Sequence, residues 1–267
     1  MDSGFAHRYG PWALIAGGSE GVGESFARQL AAAGINLVLL ARRSEPLQAL
    51  ADSIRAEHNG IEVRTLAQDL TAPDLLDRVR TATGDIDVGL LIYNAGSTVH
   101  YDRFPDWSRE QLDFMLNLNC YAPLHLAHEF SRGMCERGRG GIILLSSLAA
   151  FAGSAWMSVY PATKAFDQIL AQGLWADLKP TGVDVLCLCL GATKTPSHGD
   201  MDFDAWMPGV AMECDDAARE GLEQLGKLPL WVAGEHNRAG LPEGFLDSRA
   251  ENVTAMSEAT ALIKGLA

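Results

Sequence analysis

Tyr160 and Lys164 are the residues of this chain whose types and spacing most clearly suggest chemistry. A separation of four places both side chains on one helix face, one turn apart. A free phenol holds its proton too tightly to act as an acid or base at neutral pH, and a neighbouring ammonium stabilises the deprotonated form. The pair therefore suggests proton transfer with a substrate oxygen. The same spacing also occurs by chance on solvated helix faces, so other motifs have to support this interpretation.

A glycine-rich segment near the start of the chain gives such support. Gly17-x-x-x-Gly21-x-Gly23 lies between a predicted strand at 12–16 and a predicted helix at 20–33. Glycines let the backbone turn sharply and approach a pyrophosphate, and the helix N-terminus offers free N–H groups. The segment predicts nucleotide binding, with a purely structural turn as the alternative.

Short apolar runs alternate with longer amphipathic runs along most of the chain. The predicted strands cover 12–16, 36–40, 61–66, 88–92, 142–145, 183–188 and 230–233. The predicted helices cover 20–33, 44–57, 73–83, 108–136, 158–179, 214–227 and 248–266. This order predicts an α/β fold, with a doubly wound, mostly parallel seven-stranded sheet and helices on both faces, as in Rossmann-like proteins.

Residues 1–267 are expected to form a single domain, because the sequence contains no repeat, low-complexity tract or linker. Residues of about 191–212 break the pattern and are rich in Gly, Pro, Asp, Met and Trp. Such a composition predicts a mobile lid over the substrate.

Composition and charge exclude several classes of function. A net charge of −13 disfavours nucleic acid and anionic membrane surfaces as partners. The five cysteines are scattered without a Cys-x-x-Cys pair, so we expect buried free thiols and no metal site. Cys187 and Cys189 alternate in an apolar run and should point to one face of a buried strand. Without an apolar signal core or an apolar run near the roughly 18 residues of a membrane span, a cytoplasmic protein is expected.

The end of the second predicted strand bears on the choice of nicotinamide cofactor. A carboxylate there bonds the ribose 2′-hydroxyl of NAD(H), whereas an arginine accepts the 2′-phosphate of NADP(H). This chain has Arg42 and Arg43 at that point and no acid. NADP(H) is therefore favoured over NAD(H), with a solvated arginine pair as the alternative. Glu20 weighs against NADP(H), because its carboxylate would repel a nearby phosphate.

Two later strand ends carry further candidate contacts to a nucleotide. Asp69-Leu70 follows the third strand, and Asp69 could accept a hydrogen bond from the adenine amino group or cap the next helix. Asn94-Ala95-Gly96 ends the fourth strand, where a small turn would let a ribose lie against the backbone.

Taken in order, these motifs resemble those of the short-chain dehydrogenase/reductase family, in its shorter single-domain branch. The resemblance covers about residues 10–195 and rests on Gly17, Gly21, Gly23, Asn94-Ala95-Gly96, Asn119, Ser147, Tyr160 and Lys164. It implies that Tyr160 is the general acid/base and that Lys164 assists it and holds the nicotinamide ribose. It further implies that Ser147 bonds the substrate carbonyl and that Asn119 anchors a water relay.

The family's spacing selects Ser147 rather than Ser146, and adjacent strand residues also point to opposite faces. From the residues alone, Asn119 could instead bend a helix, and Ser147 could be an ordinary hydroxyl at a strand end. Tyr93 departs from the family pattern, because an asparagine is usual there. The predicted cofactor site comprises Gly17, Ser19, Gly21, Val22, Gly23, Arg42, Arg43, Asp69, Leu70, Asn94, Ala95, Gly96, Tyr160, Lys164 and Thr195.

Aromatic and thioether side chains dominate the segments that should meet the substrate. The predicted substrate contacts are Tyr101, Phe151, Trp156 and Met201. An apolar pocket of this kind suits a lipophilic ketone or secondary alcohol. The same side chains could alternatively pack on the scaffold or on a neighbouring subunit.

The sequence thus predicts an NADP(H)-dependent oxidoreductase that reduces a ketone or aldehyde, or oxidises a secondary alcohol, by hydride transfer. One alternative is a 3-oxoacyl thioester or steroid reductase of the same family. Another is a catalytically idle nucleotide-sensing protein, which the presence of Ser147, Tyr160 and Lys164 together disfavours. The apolar outer faces of helices 108–136 and 158–179, which family members pair, predict a homodimer or homotetramer.

Overall fold

The structure is a computed structural model of the 267-residue chain. It describes residues 3–96, 101–196, 199, 202–206 and 209–264. The predicted substrate contact Met201 lies outside the described residues.

Seven parallel strands form one sheet in the order β3-β2-β1-β4-β5-β6-β7. The strands are β1 (Trp12–Ala16), β2 (Asn36–Ala41), β3 (Val63–Ala67), β4 (Val88–Tyr93), β5 (Gly140–Ser147), β6 (Val183–Leu190) and β7 (Leu230–Val232). The chain runs outward from β1 in one direction and then in the other, so the strand order reverses between β1 and β4. Connections leave a crevice at the carboxyl ends of the strands at such a point. The predicted Rossmann-like fold class is confirmed.

Helices cover both faces of the sheet. They are α1 (Ser3–Tyr9), α2 (Gly21–Ala32), α3 (Ser44–Glu57), α4 (Leu75–Thr83), α5 (Arg109–Leu116), α6 (Ala122–Arg137), α7 (Val159–Leu178), α8 (Phe203–Trp206), α9 (Cys214–Gln224), α10 (Glu235–Ala239) and α11 (Phe245–Lys264). One apolar core lies between the sheet and helices α1, α2, α3 and α9. A second core lies between the opposite face and helices α4, α6, α7 and α11.

Successive strand residues alternate between these two cores. In β1, Leu14 packs in the core beside α7, while its neighbour Ile15 packs in the core beside α2. Both faces of each central strand are buried, which explains their continuous apolar sequences. Cys187 and Cys189 point to the same face, as predicted, and their buried free thiols lie 3.8 Å apart.

Helix α1 was not predicted from the sequence. Its seven residues are too few for helical periodicity to be visible. Contacts with a distant strand hold it instead, because the Tyr9 hydroxyl donates to Asp184 Oδ2 at 2.6 Å and Arg8 pairs with the same carboxylate at 2.6 Å. The predicted ends of other elements shift by a few residues; the helix expected at 248–266, for example, begins at Phe245.

The helix predicted at 108–136 contains a π-helical turn at Asn117–Tyr121, between α5 and α6. Tyr93, at the end of β4, is buried beside this turn, and its hydroxyl donates to the Leu118 carbonyl at 2.5 Å. The tyrosine that departs from the family pattern therefore fills the interior and ties a strand end to the turn that carries Asn119. In the described part of the chain, no helix has the length and apolar character that crossing a bilayer requires.

Candidate active site

A cavity of about 690 Å³ opens at the carboxyl ends of the central strands. The glycine-rich segment and Arg42 line one part of it, and Ser147, Tyr160 and Lys164 line another. Parallel strands all deliver their following loops to the same edge, which is why motifs distant in sequence meet here. The described residues contain no cluster of three or more His, Cys, Asp or Glu side chains suited to a metal ion.

The backbone of the glycine-rich segment turns back against the end of β4. Gly17 has φ +79° and Gly21 has φ +61°, a left-handed region that favours glycine. A Cβ at Gly17 would lie 2.8 Å from the Ala95 nitrogen, so only glycine allows this approach. The Asn94 amide donates to the Gly17 carbonyl at 2.8 Å and braces the turn.

The first turn of α2 forms part of the cavity wall, through Gly21 and Val22. Glu20 precedes the helix, and its side chain makes no capping hydrogen bond to the N–H groups there. Uncapped N–H groups at a helix N-terminus suit the phosphates of a nucleotide. This glycine cradle, which a Cβ would fill, fits a dinucleotide.

Gly23 has a different place from the other two glycines. It is not in the cavity wall, and a Cβ there would lie 2.0 Å from the Gly17 carbonyl oxygen. Gly23 therefore allows α2 to pack closely against the glycine-rich turn, and it does not face a ligand in the cavity.

The two arginines after β2 differ in their partners. Arg43 Nη2 pairs with Glu20 Oε2 at 2.5 Å, whereas Arg42 makes no ion pair within the described residues. Both arginines line the cavity and are exposed. The pairing neutralises the Glu20 carboxylate, which weakens the objection that it would repel a phosphate.

Asp69 and Leu70 also lie in the cavity wall, after β3. Asp69 Oδ1 accepts hydrogen bonds from the backbone and the hydroxyl of Thr71, both at 2.8 Å. One carboxylate oxygen therefore stabilises the turn after β3. Asp69 does not cap the next helix, because Asp74 directly precedes α4.

The two serines that end β5 point in different directions. The Ser146 hydroxyl is buried and donates to the Lys164 carbonyl at 2.7 Å. Ser147 Oγ accepts from the Ala149 nitrogen at 3.1 Å, which leaves its own proton available to a ligand. This geometry agrees with the choice of Ser147 as the candidate catalytic serine.

Lys164 is buried, although it borders the cavity. Its ammonium donates to the Leu145 carbonyl at 2.8 Å and to Asp167 Oδ2 at 3.0 Å. Burial opposes the charge of the ammonium, but the negative charges of Asp167 and of a Tyr160 phenolate outweigh it, so the pKa of Lys164 is raised. A Cβ at Gly96 would lie 2.9 Å from the Lys164 Nζ, so a larger residue there would push the ammonium out of its place.

Asn119 lies in the π-helical turn and is fully buried behind the cavity wall. Its amide donates to the Thr163 hydroxyl at 3.1 Å, and that hydroxyl donates to the Tyr160 carbonyl at 2.8 Å. Asn119 Oδ1 would lie 3.4 Å from a Cβ on Gly96. The residue is thus placed between the end of β4 and α7, close to Lys164.

The predicted substrate contacts divide between wall and scaffold. Tyr101 lines the cavity. Phe151 does not; its ring packs edge-on against Phe245 with centroids 5.3 Å apart. Trp156 is also outside the wall, at φ +66° and 58% exposed. Phe151 thus packs on the scaffold, which was the alternative, and Trp156 is exposed. A substrate contact of either residue stays a prediction.

Further apolar side chains line the cavity besides Tyr101. They include Met157, Phe203, Phe114 and Leu118. Phe114 and Leu118 were not singled out from the sequence. Their separation of four, just before Asn119, was the available signal, but it equally fits an ordinary core face of a helix. Thr195 lies in the wall as well, and a Cβ at Gly21 would lie 3.5 Å from its Cβ.

Comparisons with known proteins bear on the family of this chain. The short chain dehydrogenase family model matches residues 11–204. A 7beta-hydroxysteroid dehydrogenase of Clostridium sardiniense is 33% identical over 257 residues, which is 95% of this chain and 97% of that protein.

Two solved structures are also similar. A 7beta-hydroxysteroid dehydrogenase structure has a TM-score of 0.83 and 30% identity, over 94% of this chain and 99% of that one. A short-chain dehydrogenase of Sphingobium yanoikuyae in complex with NADPH has a TM-score of 0.77 and 32% identity, over 94% of each chain.

We expect Gly23→Ala to lower the free energy of unfolding by about 1–3 kcal/mol, because the added methyl meets a backbone carbonyl that cannot move aside freely. Urea denaturation would measure the loss. Gly153→Ala is the control, because a Cβ there meets nothing within 4 Å. Equal stability of Gly23→Ala and the control would contradict the packing role of Gly23.

Proposed function

Since this chain belongs to the short-chain dehydrogenase/reductase family and is an NAD(P)-dependent oxidoreductase, we propose that it interconverts a bulky lipophilic ketone and its secondary alcohol with NADP(H). One observation carries the proposal: the glycine cradle and the triad Ser147, Tyr160 and Lys164 line one continuous cavity. A pyrophosphate held at the cradle and a carbonyl held at the triad would share that space.

A bound nicotinamide supplies or accepts the hydride. The side chains of the chain handle the charge on the substrate oxygen. Tyr160 gives that oxygen a proton during reduction and removes it during oxidation, and Ser147 donates a hydrogen bond to it. The Lys164 ammonium supplies a positive charge close to the Tyr160 hydroxyl.

The wall supports a substrate that is large and mostly apolar. The cavity that the triad borders also has aromatic, aliphatic and thioether surface, from Tyr101, Phe114, Leu118, Met157 and Phe203. The two similar proteins named as 7beta-hydroxysteroid dehydrogenases favour a steroid as the form of that substrate. A hydroxysteroid and its ketone therefore belong first in a substrate screen.

We expect Tyr160→Phe to abolish turnover while nucleotide binding persists, because only the transferable proton is lost. NADPH oxidation with a panel of ketosteroids and other bulky ketones would measure turnover, and titration calorimetry would measure binding.

The control for this variant is Tyr121→Phe, which removes the same hydroxyl from an exposed tyrosine outside the cavity wall. If the unmodified protein binds NADPH but reduces no member of the panel, a nucleotide-sensing role gains support instead. Turnover by Tyr160→Phe at the rate of the unmodified protein would refute the role of Tyr160.

The preference for NADP(H) rests on the two arginines after β2. Arg42 has no ionic partner among the described residues and borders the cavity, so its guanidinium can clamp a 2′-phosphate. Arg43 is engaged by Glu20, which leaves the pair of arginines with a net positive charge at this end of the cavity.

We expect Arg42→Ala to weaken NADPH binding about 10-fold or more, while NADH binding changes little, because only NADPH carries the 2′-phosphate. Titration calorimetry with both nucleotides would test this. Arg78→Ala, an exposed arginine on α4 outside the cavity wall, controls for the loss of one positive charge. Equal losses for the two nucleotides would refute the assignment.

Large apolar side chains stand exposed on neighbouring helices, which supports a homodimer or homotetramer. Leu116 at the end of α5 is 41% exposed, and Tyr121 in the π-helical turn is 54% exposed. Ile169 on α7 is 64% exposed.

Light scattering should give the mass of a dimer or tetramer for the unmodified chain. Ile169→Glu should shift it toward monomer, because the charge would be buried in the interface. A monomer in both cases would contradict the proposal.

A further inference from the structure

Asp167 is a buried carboxylate for which no motif of the sequence gave a role. It lies on α7, three residues after Lys164, and its side chain is 1% exposed. The side chain of Lys164 is 5% exposed, and the two charged groups meet at 3.0 Å. Among the ion pairs of the described residues this one has the least exposed side chains, since every other pair has a partner at least 25% exposed.

The other titratable groups that face Asp167 carry no charge that could balance its carboxylate. Tyr93 of β4, Cys120 of the π-helical turn and Cys187 of β6 face it from the neighbouring elements. Burial, with a further contribution from Asp167, raises the pKa of all three groups, and that of Cys120 reaches about 11. They stay neutral at physiological pH, so the ammonium of Lys164 is the counter-charge that the site offers.

The second oxygen of the Asp167 carboxylate lowers the stability of the fold. Asp167 Oδ1 is buried and has no hydrogen-bond partner among the described residues. A buried polar atom without a partner, and a buried charge, both work against stability. An apolar residue at this position would avoid that cost, which points to a role of Asp167 in the site.

The contacts of Lys164 show what that role is. Two of its three N–H groups are taken by the Leu145 carbonyl and by the buried carboxylate of Asp167. The ammonium is thereby held at the end of β5 and turned so that its remaining N–H can serve a group in the cavity. Gly96 leaves the space for this, since a Cβ there would lie 2.9 Å from Nζ.

We propose that Asp167 is a positioning residue that holds the Lys164 ammonium in place and keeps it charged beside Tyr160. The inference rests on the proposed function, because it assigns Asp167 to the proton transfer of that reaction. Asp167 touches neither the substrate nor the nucleotide and acts only through Lys164.

The proposal predicts a particular pH dependence of ketone reduction. Burial raises the pKa of the Asp167 carboxyl to about 6, although Lys164 acts to lower it. As the pH falls through that value, Asp167 gains a proton and the ammonium loses its counter-charge, so kcat should fall. At alkaline pH the Asp167 carboxylate delays loss of the proton from Lys164. A variant without that carboxylate should therefore show the alkaline limb of the profile at lower pH.

The experiment compares the unmodified protein with Asp167→Asn, Asp167→Glu and the control Asp177→Asn. Asp177 lies on the same helix but is exposed, so the control removes an equal charge away from the site. We would measure kcat and KM for ketone reduction from about pH 5 to about pH 11, so that the range extends toward the raised pKa of Lys164. NADPH affinity by titration calorimetry and thermal unfolding would be recorded for every variant.

Asp167→Asn should lower kcat roughly 10- to 100-fold through misplacement of the ammonium. It should also lose the acid limb near pH 6 and move the alkaline limb to lower pH, because the carboxylate that raises the pKa of Lys164 is gone. Asp167→Glu keeps the charge, so it should retain both limbs even where kcat falls. A purely structural role would lower the unfolding temperature and leave the limbs where they are.

If Asp167→Asn has the same kcat as the unmodified protein, and the same acid and alkaline limbs in its pH profile, the proposal is overturned. If that variant does not fold, Asp167→Glu decides, and loss of the acid limb there would count against it. If the unmodified protein binds NADPH but reduces no ketone, the proposed function has failed, and binding alone decides the inference. Asp167→Asn should then weaken NADPH binding about 10-fold, because Lys164 is displaced, and unchanged affinity would overturn the inference.

Discussion

The buried ammonium of Lys164 is the constraint on which the rest of the site depends. A cation in the interior needs partners at short range, and here they come from the Leu145 carbonyl and Asp167. These contacts fix α7 against the end of β5. Because Tyr160 lies one turn earlier on the same helix, its place at the cavity follows from that of the ammonium.

The parallel sheet makes this arrangement possible at one edge. The order of strands reverses between β1 and β4, so the loops after these strands diverge and leave the cavity between them. Asn94 and Gly17 then tie the two loops together across the crevice by a hydrogen bond of 2.8 Å. The nucleotide cradle and the triad are therefore supported by the same strand ends, and a change in one strand's register would disturb both.

Residues just behind the wall matter as much as those in it. Tyr93 fills the interior at the end of β4 and bonds the π-helical turn, and that turn carries Asn119 toward α7. Gly23 has a comparable place, since it lets α2 pack against the Gly17 carbonyl. Each holds a neighbour at the distance that the cavity requires without bordering the cavity itself.

The sequence by itself determined the strands, the main helices and the motifs at the strand ends. These features depend on local patterns: continuous apolar runs, helical spacing and glycines that permit φ above zero. Tyr160, Lys164 and the Gly17 turn were visible in this way, whereas Ser147 was selected by the resemblance to the family. Their convergence was also predictable, because parallel strands bring their ends to one edge.

Only the tertiary structure decided which side chains pair across the fold. The bond of Asp184 to Tyr9 that holds α1, and the pairing of Arg43 with Glu20, join residues far apart in sequence. The same holds for Phe151, whose ring turns to Phe245 and away from the cavity. Even the pair of Lys164 and Asp167, only three residues apart, takes its meaning from burial, because on a solvated helix the same two residues would be a weak surface ion pair.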